Sequence, residues 1–463
     1  MKGAYTQMGE TRELVSYLHN IKYSELDATT IDMAKKCIED FIGVAIRGSS
    51  KPEALIWKEY YKNKKAEHKA STFQPGFERF SVEQAAALNA VYGHVMDMDD
   101  VHNASIVHLA VVTVPVAVAL AQRLHKSGRD VIEAIATGYE MGARVGEAIN
   151  PSSYKYWHTT GVVGALSSGI TAAKLLTLTE EETINCVGSS GTQAAGLWEF
   201  LDSGAMSKVL HTANANLCGL RAAELAKLGF TGSPTILEGE RGLIRALAPQ
   251  FDLSCLTDGY GEELCICRNS FKPYACCRHT HSANYCIEKI MSERSFLPAD
   301  VVSIVDETYS TAAQITDDPH PKNAYRAKFS LQFCIAAMLI FKELGDGIFT
   351  SANLTNPSVL DLMGKIVVRV DPQLDEEFRK NTAQWPHRII LVLKDGRVIS
   401  ERVDFPLGDP QNPFSWEIAD RKFRQLTADL LNSRTLETLL NRFHDFEQIE
   451  DVNTLFQNGE AII

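Results

Sequence analysis

Apolar side chains recur at helical spacing from Leu14 to about residue 250. Ile31, Ala34, Ile38, Phe41, Ile42 and Ala45 follow the i, i+3, i+4, i+7 rule. Ile132, Ile135, Tyr139, Gly142, Val145 and Ile149 repeat it, and both runs predict amphipathic helices. Thr179, with Glu182 three residues on, is a capping box that opens another helix. The segment before it, GVVGALSSGITAAKLL, is mostly Gly, Ala and Ser, which lets helix backbones approach closely. The most apolar stretch, Leu109 to Ala121, contains Pro115 and falls short of the ~20 residues that cross a bilayer, so it reads as a buried helix.

After about residue 265 the pattern shortens into β-branched runs: Val301 to Val305, Ile366 to Val370, Ile389 to Leu393 and Val398 to Phe405. Asp395-Gly396 between the last two predicts a hairpin. Phe329 to Leu344 reads as one buried helix among these strands, and from Asp409 to Phe446 the spacing is helical again. The expected fold is therefore mostly α: a discontinuous all-helical domain, 1–265 and 407–463, with a smaller α+β domain, 266–406, inserted between its parts. No internal repeat or low-complexity segment interrupts it.

A chain of 463 residues exceeds the ~250–300 at which one core stops growing, which agrees with two domains. Its net charge of −12 offers nucleic acid and anionic membranes no general attraction, while a local anion pocket stays allowed. The amino terminus, MKGAYTQMGETRELVSYL, lacks an apolar signal core, and the ten cysteines sit largely in apolar helical patterns. Both suggest a cytoplasmic protein with reduced thiols. Neither a P-loop nor a strand-borne GxGxxG is present, so no nucleotide cofactor is expected.

Five segments concentrate polar groups beside apolar helices. In the first, Asp97, Asp99 and Asp100 crowd with His94, His102 and His108; Asp97 and Asp100 lie i, i+3 and could share a helix face. The second, His158-Thr159-Thr160-Gly161, precedes the small-residue helix, whose first amides would favour an anion. The third places Lys208 in an otherwise small or apolar run. The fourth, Lys272 through His281, packs Cys276, Cys277, Arg278 and His279 into ten positions at the domain junction. The fifth is Ala327-Lys328-Phe329-Ser330. Each has a plain structural reading as well: helix caps, a solvated lysine, satisfied core histidines.

In order and separation, MDMDDVHxxSxxH, WHTTGxxG, GAMSKxLH, KPYxCCRxTH and AKFS resemble the MmgE/PrpD family, which includes 2-methylcitrate dehydratase, cis-aconitate decarboxylase and iminodisuccinate epimerase. The resemblance spans essentially the whole chain. It implies a helical domain with an α+β lid, a homodimer, and a pocket containing Asp97, His108, His158, Lys208 and Lys272 with its neighbours. Cys277 stands where mammalian cis-aconitate decarboxylase carries histidine, and Cys277-Arg278-His279 replaces the Glu–aromatic–His run of the dehydratases.

That family makes or quenches negative charge on a carbon next to a carboxylate of a small di- or tricarboxylic acid. Lys208, Lys272 and Arg278 would hold the carboxylates, with Thr159, Cys277 and His279 completing the substrate contacts. His108 and His158 would move protons, and Asp97 would orient one imidazole. No metal or organic cofactor is expected. Dehydration of a 2-methylcitrate-like substrate leads the expectations, followed by epimerisation and then decarboxylation. A different class stays open: a structural protein with zinc at Cys276, Cys277, His279 and His281, aided by Cys265 and Cys267. So does an inactive family member that serves only as an interaction partner.

Overall fold

In the computed structural model, residues 9–457 are described; the first eight residues, on which part of the amino-terminal reading rests, lie outside them. The two helical runs become Ala28–Gly48 and Gly128–Ile149, and the Thr179 capping box starts the helix Glu180–Gly191. No described helix is long and apolar enough to cross a membrane. All ten cysteines are free thiols, nine of them buried.

Three helices form the centre of the helical part: Ala110–Leu124, Thr159–Leu175 and Ser207–Lys227. Their small residues permit close packing, since a Cβ on Gly219 would stand 2.3 Å from the backbone nitrogen of Gly169. Pro115 lies inside Ala110–Leu124 and cannot donate to the carbonyl of Val111. The side-chain amide of Asn216 donates to that carbonyl instead, at 2.9 Å. The buried proline is thus tolerated because a neighbouring helix satisfies the orphaned acceptor.

The β-branched runs form one four-stranded sheet, in the order Ile366–Val370, Val301–Thr308, His387–Leu393, Val398–Val403. The first pair is parallel, with Ile304 opposite Ile366, and the other two are antiparallel. Burial alternates along His387–Leu393, so one face packs inward, towards His281–Glu293. The expected hairpin turns at Gly396, whose φ of +86° suits glycine. The buried helix of this part is Leu331–Phe341, shorter than the sequence suggested because Ser330 caps its start and Lys342 turns left-handed at its end.

Beyond the sheet, Trp416–Thr427 and Ser433–His444 return to pack on Ala28–Gly48. A buried ion pair, Lys422 to Asp40 at 2.6 Å, joins the two ends of the sequence, and Lys422 also donates to the carbonyl of Met98 beside the cavity described next.

Candidate active site

The chain from Val95 to Leu109 links the helices Val82–His94 and Ala110–Leu124. It is a turn-rich loop, so Asp97 and Asp100 do not share the helical face that their spacing allowed. Val101 exchanges two backbone hydrogen bonds with Ser270, each 2.8 Å, and this bridge lays the first motif against the fourth. Asp97 itself has a φ of +58°, a left-handed conformation that aspartate tolerates better than most residues. Ile106, on the same loop, is left-handed at +52°, which strains a β-branched residue, and it forms part of the cavity wall.

Asp97, His108, His158, Lys208, Lys272, Cys277, Arg278 and His279 line one narrow cavity. These eight side chains, up to 182 positions apart in sequence, thus meet around it. Thr159 is the exception: it is fully buried, its hydroxyl lies 3.4 Å from the Asn150 amide, and the wall residue is Thr160. The Thr160 hydroxyl also accepts the backbone N–H of His108 at 3.1 Å, tying the second motif to the first.

Asp97 is the electrostatic centre of the cavity. One carboxylate oxygen takes Lys208 at 2.9 Å and Lys272 at 2.8 Å, and Lys272 reaches the Asp97 carbonyl as well, at 3.0 Å. Burial alone would raise the Asp97 carboxyl, but the two ammonium groups outweigh it and hold the group well below its usual value. Burial likewise works against the Lys272 ammonium, which Asp97 and Asp99 nevertheless hold above its usual value. Lys208 stands in the first turn of Ser207–Lys227, where a helix dipole disfavours a cation, so Asp97 is what compensates it. The three groups together carry one positive charge.

Two expected roles therefore change. Asp97 holds lysines and does not orient an imidazole; that partner is Asp99, which bonds Nδ1 of His94 at 2.7 Å and lies 3.4 Å from Nδ1 of His108. Arg278 is no free cation, because its guanidinium pairs with buried Asp409 and contacts Nδ1 of His281. Two lysines, not three cations, are left to meet a substrate.

His94, His108 and His158 pack together, with centroids 4.9 Å apart for the first pair and 5.5 Å for His94 and His158. Burial lowers all three, His94 to about 4 against the pull of Asp99, so the imidazoles are neutral at physiological pH. His158 shares a 3.1 Å contact between its Nδ1 and that of His211, while its Nε2 is buried without a partner. Gly161 admits this arrangement, because a Cβ there would stand 2.9 Å from the Cβ of His211.

The remaining wall is aromatic. Trp385 stacks on His279 at 4.3 Å, Nδ1 of His279 lies 2.6 Å from the Tyr309 hydroxyl, and Phe329 lies under Lys208 at 5.4 Å. Tyr154 and Trp198 form the other side and also line an open outer vestibule with Lys155 and Arg326. Burial pushes the Cys277 thiol up to about 12, which leaves it a neutral wall group. Sequence reasoning passed over His94 and Asp99 as orienting groups and missed Tyr154, Trp198 and Trp385. For His94 and Asp99 the signal was present in the crowded first motif; isolated aromatics carried none.

The cysteine–histidine zinc reading finds no support in the geometry. His281 faces Arg278 and the Cys276 carbonyl, His279 faces Tyr309, and Cys265 and Cys267 lie against Arg268 and Thr30. Within the described cavity wall and the layer behind it, His94, Asp99 and His108 alone bring three ligand-type atoms within 4.8 Å of one another.

Residues 12–256 match the MmgE/PrpD N-terminal domain and residues 274–444 the MmgE/PrpD C-terminal domain. The chain is 26% identical to human cis-aconitate decarboxylase, over 96% of this chain and 93% of that one. It is 27% identical to the mouse enzyme of the same name, over 96% and 92%, and 25% identical to cis-aconitate decarboxylase of Aspergillus terreus, over 97% and 95%. Two domain matches in chain order account for most of the sequence, and the chain belongs to the MmgE/PrpD family.

Proposed function

We propose that this protein is a lyase that acts on a small di- or tricarboxylic acid by proton transfer at a carbon next to a carboxylate. The observation that carries the reading is the convergence of Lys208 and Lys272 on Asp97, beside neutral His108 and His158, in one buried cavity. A substrate carboxylate entering here meets the ammonium groups of Lys208 and Lys272, and burial strengthens each such attraction. Neutral imidazoles can accept a carbon-bound proton or, once protonated, return one. Asp99 is the positioning group that aligns His94 and His108 behind the reacting atoms. Tyr154 and Trp198 separate the cavity from the vestibule and admit the substrate when the 266–406 lid opens away from the helical part, 1–265 and 407–463. A homodimer, as the family resemblance implies, belongs to the same proposal.

Decarboxylation is the specific reading that the relatives favour, since they are decarboxylases over nearly their full lengths. In it, cis-aconitate would lose CO2, the bonding electrons would stay on carbon, and a proton taken up from solvent and relayed by an imidazole would quench them. Cys277, buried and neutral in the wall, leaves that relay to His108 or His158. Dehydration and epimerisation begin with the opposite transfer, from carbon to imidazole. Chelator-treated protein should turn over one acid from a panel of cis-aconitate, 2-methylcitrate, citrate and iminodisuccinate, with products identified by NMR. Lys208→Ala and Lys272→Ala should raise KM for that acid by at least tenfold. No turnover of any polycarboxylate, or turnover indifferent to both lysines, would overturn the proposal.

A further inference from the structure

Outside the cavity, Glu39 on Ala28–Gly48, Asp420 on Trp416–Thr427 and His444 at the end of Ser433–His444 bring a glutamate oxygen, an aspartate oxygen and a ring nitrogen within 4.8 Å of one another. Glu39 is fully buried, and no hydrogen-bond donor reaches either of its oxygens. Asp420 lies against the Glu39 carboxyl and, at 2.8 Å, against Nε2 of His444. Several nearby cations pair with other carboxylates: Lys36 with Asp32, Lys35 with Glu447, Lys422 with Asp40 and Arg424 with Glu437. Two carboxylates therefore share a corner of the fold in which the guanidinium that acts on both, Arg424, is hydrogen-bonded to Glu437 instead. A buried carboxylate without donors is strongly disfavoured unless it is neutralised.

We propose that Glu39, Asp420 and His444 bind a divalent cation of borderline softness, zinc being the type, which clips the carboxy-terminal helices onto the amino-terminal part of the chain. Two carboxylates and one imidazole are a suitable three-ligand set for zinc, with solvent completing the coordination. The approach is open, since the side chains of His444 and Asp420 are 39% and 25% exposed while Glu39 forms the floor. Trp416 stacks on His444 at 4.2 Å and holds its ring in place. None of the three residues lines the catalytic cavity, so the cation acts on stability and takes no part in the reaction. The competing arrangement is a proton shared between Glu39 and Asp420.

The test uses the full-length, chelator-treated protein, equilibrium dialysis against Zn2+ and thermal unfolding. One zinc per chain should bind and raise Tm by about 3 °C at saturation. Glu39→Gln, Asp420→Asn and His444→Ala should each weaken zinc binding at least tenfold, with Tm in chelator close to that of the parent. The glutamine and asparagine are isosteric and His444 is part-exposed, so the variants keep the fold. Absence of stoichiometric zinc, or zinc held equally well by all three variants, would overturn the assignment and leave the shared proton as the explanation.

Discussion

Asp99 illustrates how much of the chemistry depends on single side chains. It neighbours two imidazoles, so Asp99→Asn should lower kcat/KM by roughly 10²-fold, a typical general acid–base contribution. Because the carboxylate raises His94 and His108 against their burial, its loss should also move the acid limb of the pH profile lower. A merely structural role would leave that limb in place. The same burial sets the pH dependence of stability. His94 is pushed to about 4, and His102 and His279 to about 3, against about 6.5 in an unfolded chain. Below 6.5 the unfolded state therefore binds more protons. Stability is fully present above that pH and is lost as it falls towards 4, by up to about 1.4 kcal/mol per pH unit for each such imidazole. Asp100, raised to about 7 by burial, acts in the opposite direction and offsets one of them. With His108, His158, His211 and His281 also lowered, the imidazoles prevail. Tm measured from pH 7.5 to 4.5 should fall steeply; a flat profile would contradict this account.

Individual elements show why periodicity was informative and where it stopped. The helices at 28–48 and 128–149 were legible because their apolar stripes must bury, and the strands because β-branched runs flank Asp395-Gly396. The 95–109 loop was not legible as structure. Its conformation comes from long-range partners: Ser270 for Val101, Lys272 for Asp97, and Tyr139 and the Ala110 amide for Asp100. Arg278 looked like a free cation for the same reason, since Asp409 is 131 residues away. Pro115 makes an element-scale prediction. Asn216→Leu would leave the Val111 carbonyl buried without a donor, and chemical denaturation should show a loss of about 1–3 kcal/mol. No loss would mean that the helix does not need that donor.

Across the whole molecule, the ends of the sequence close on each other. The Lys422–Asp40 pair is buried, and breaking it by Lys422→Ala strands a carboxylate, so stability should fall by about 3–5 kcal/mol. Because Lys422 also holds the Met98 carbonyl, the same change should lower activity under conditions where the protein remains folded. Activity that persisted unchanged in folded Lys422→Ala would show that the cavity loop stands without it. The family, and most of the residues that meet in the cavity, could be read from five motifs. Their division of labour could not, because which carboxylate pairs with which cation depends on packing between distant segments. The proposed chemistry rests on proton transfer at carbon. Turnover of cis-aconitate in D2O, followed by NMR, should place solvent deuterium on the carbon that loses CO2 or its allylic partner in wild-type product, and His108→Ala or His158→Ala should slow that incorporation by roughly 10²–10⁴-fold. Product free of solvent deuterium, or incorporation undiminished in both variants, would contradict it.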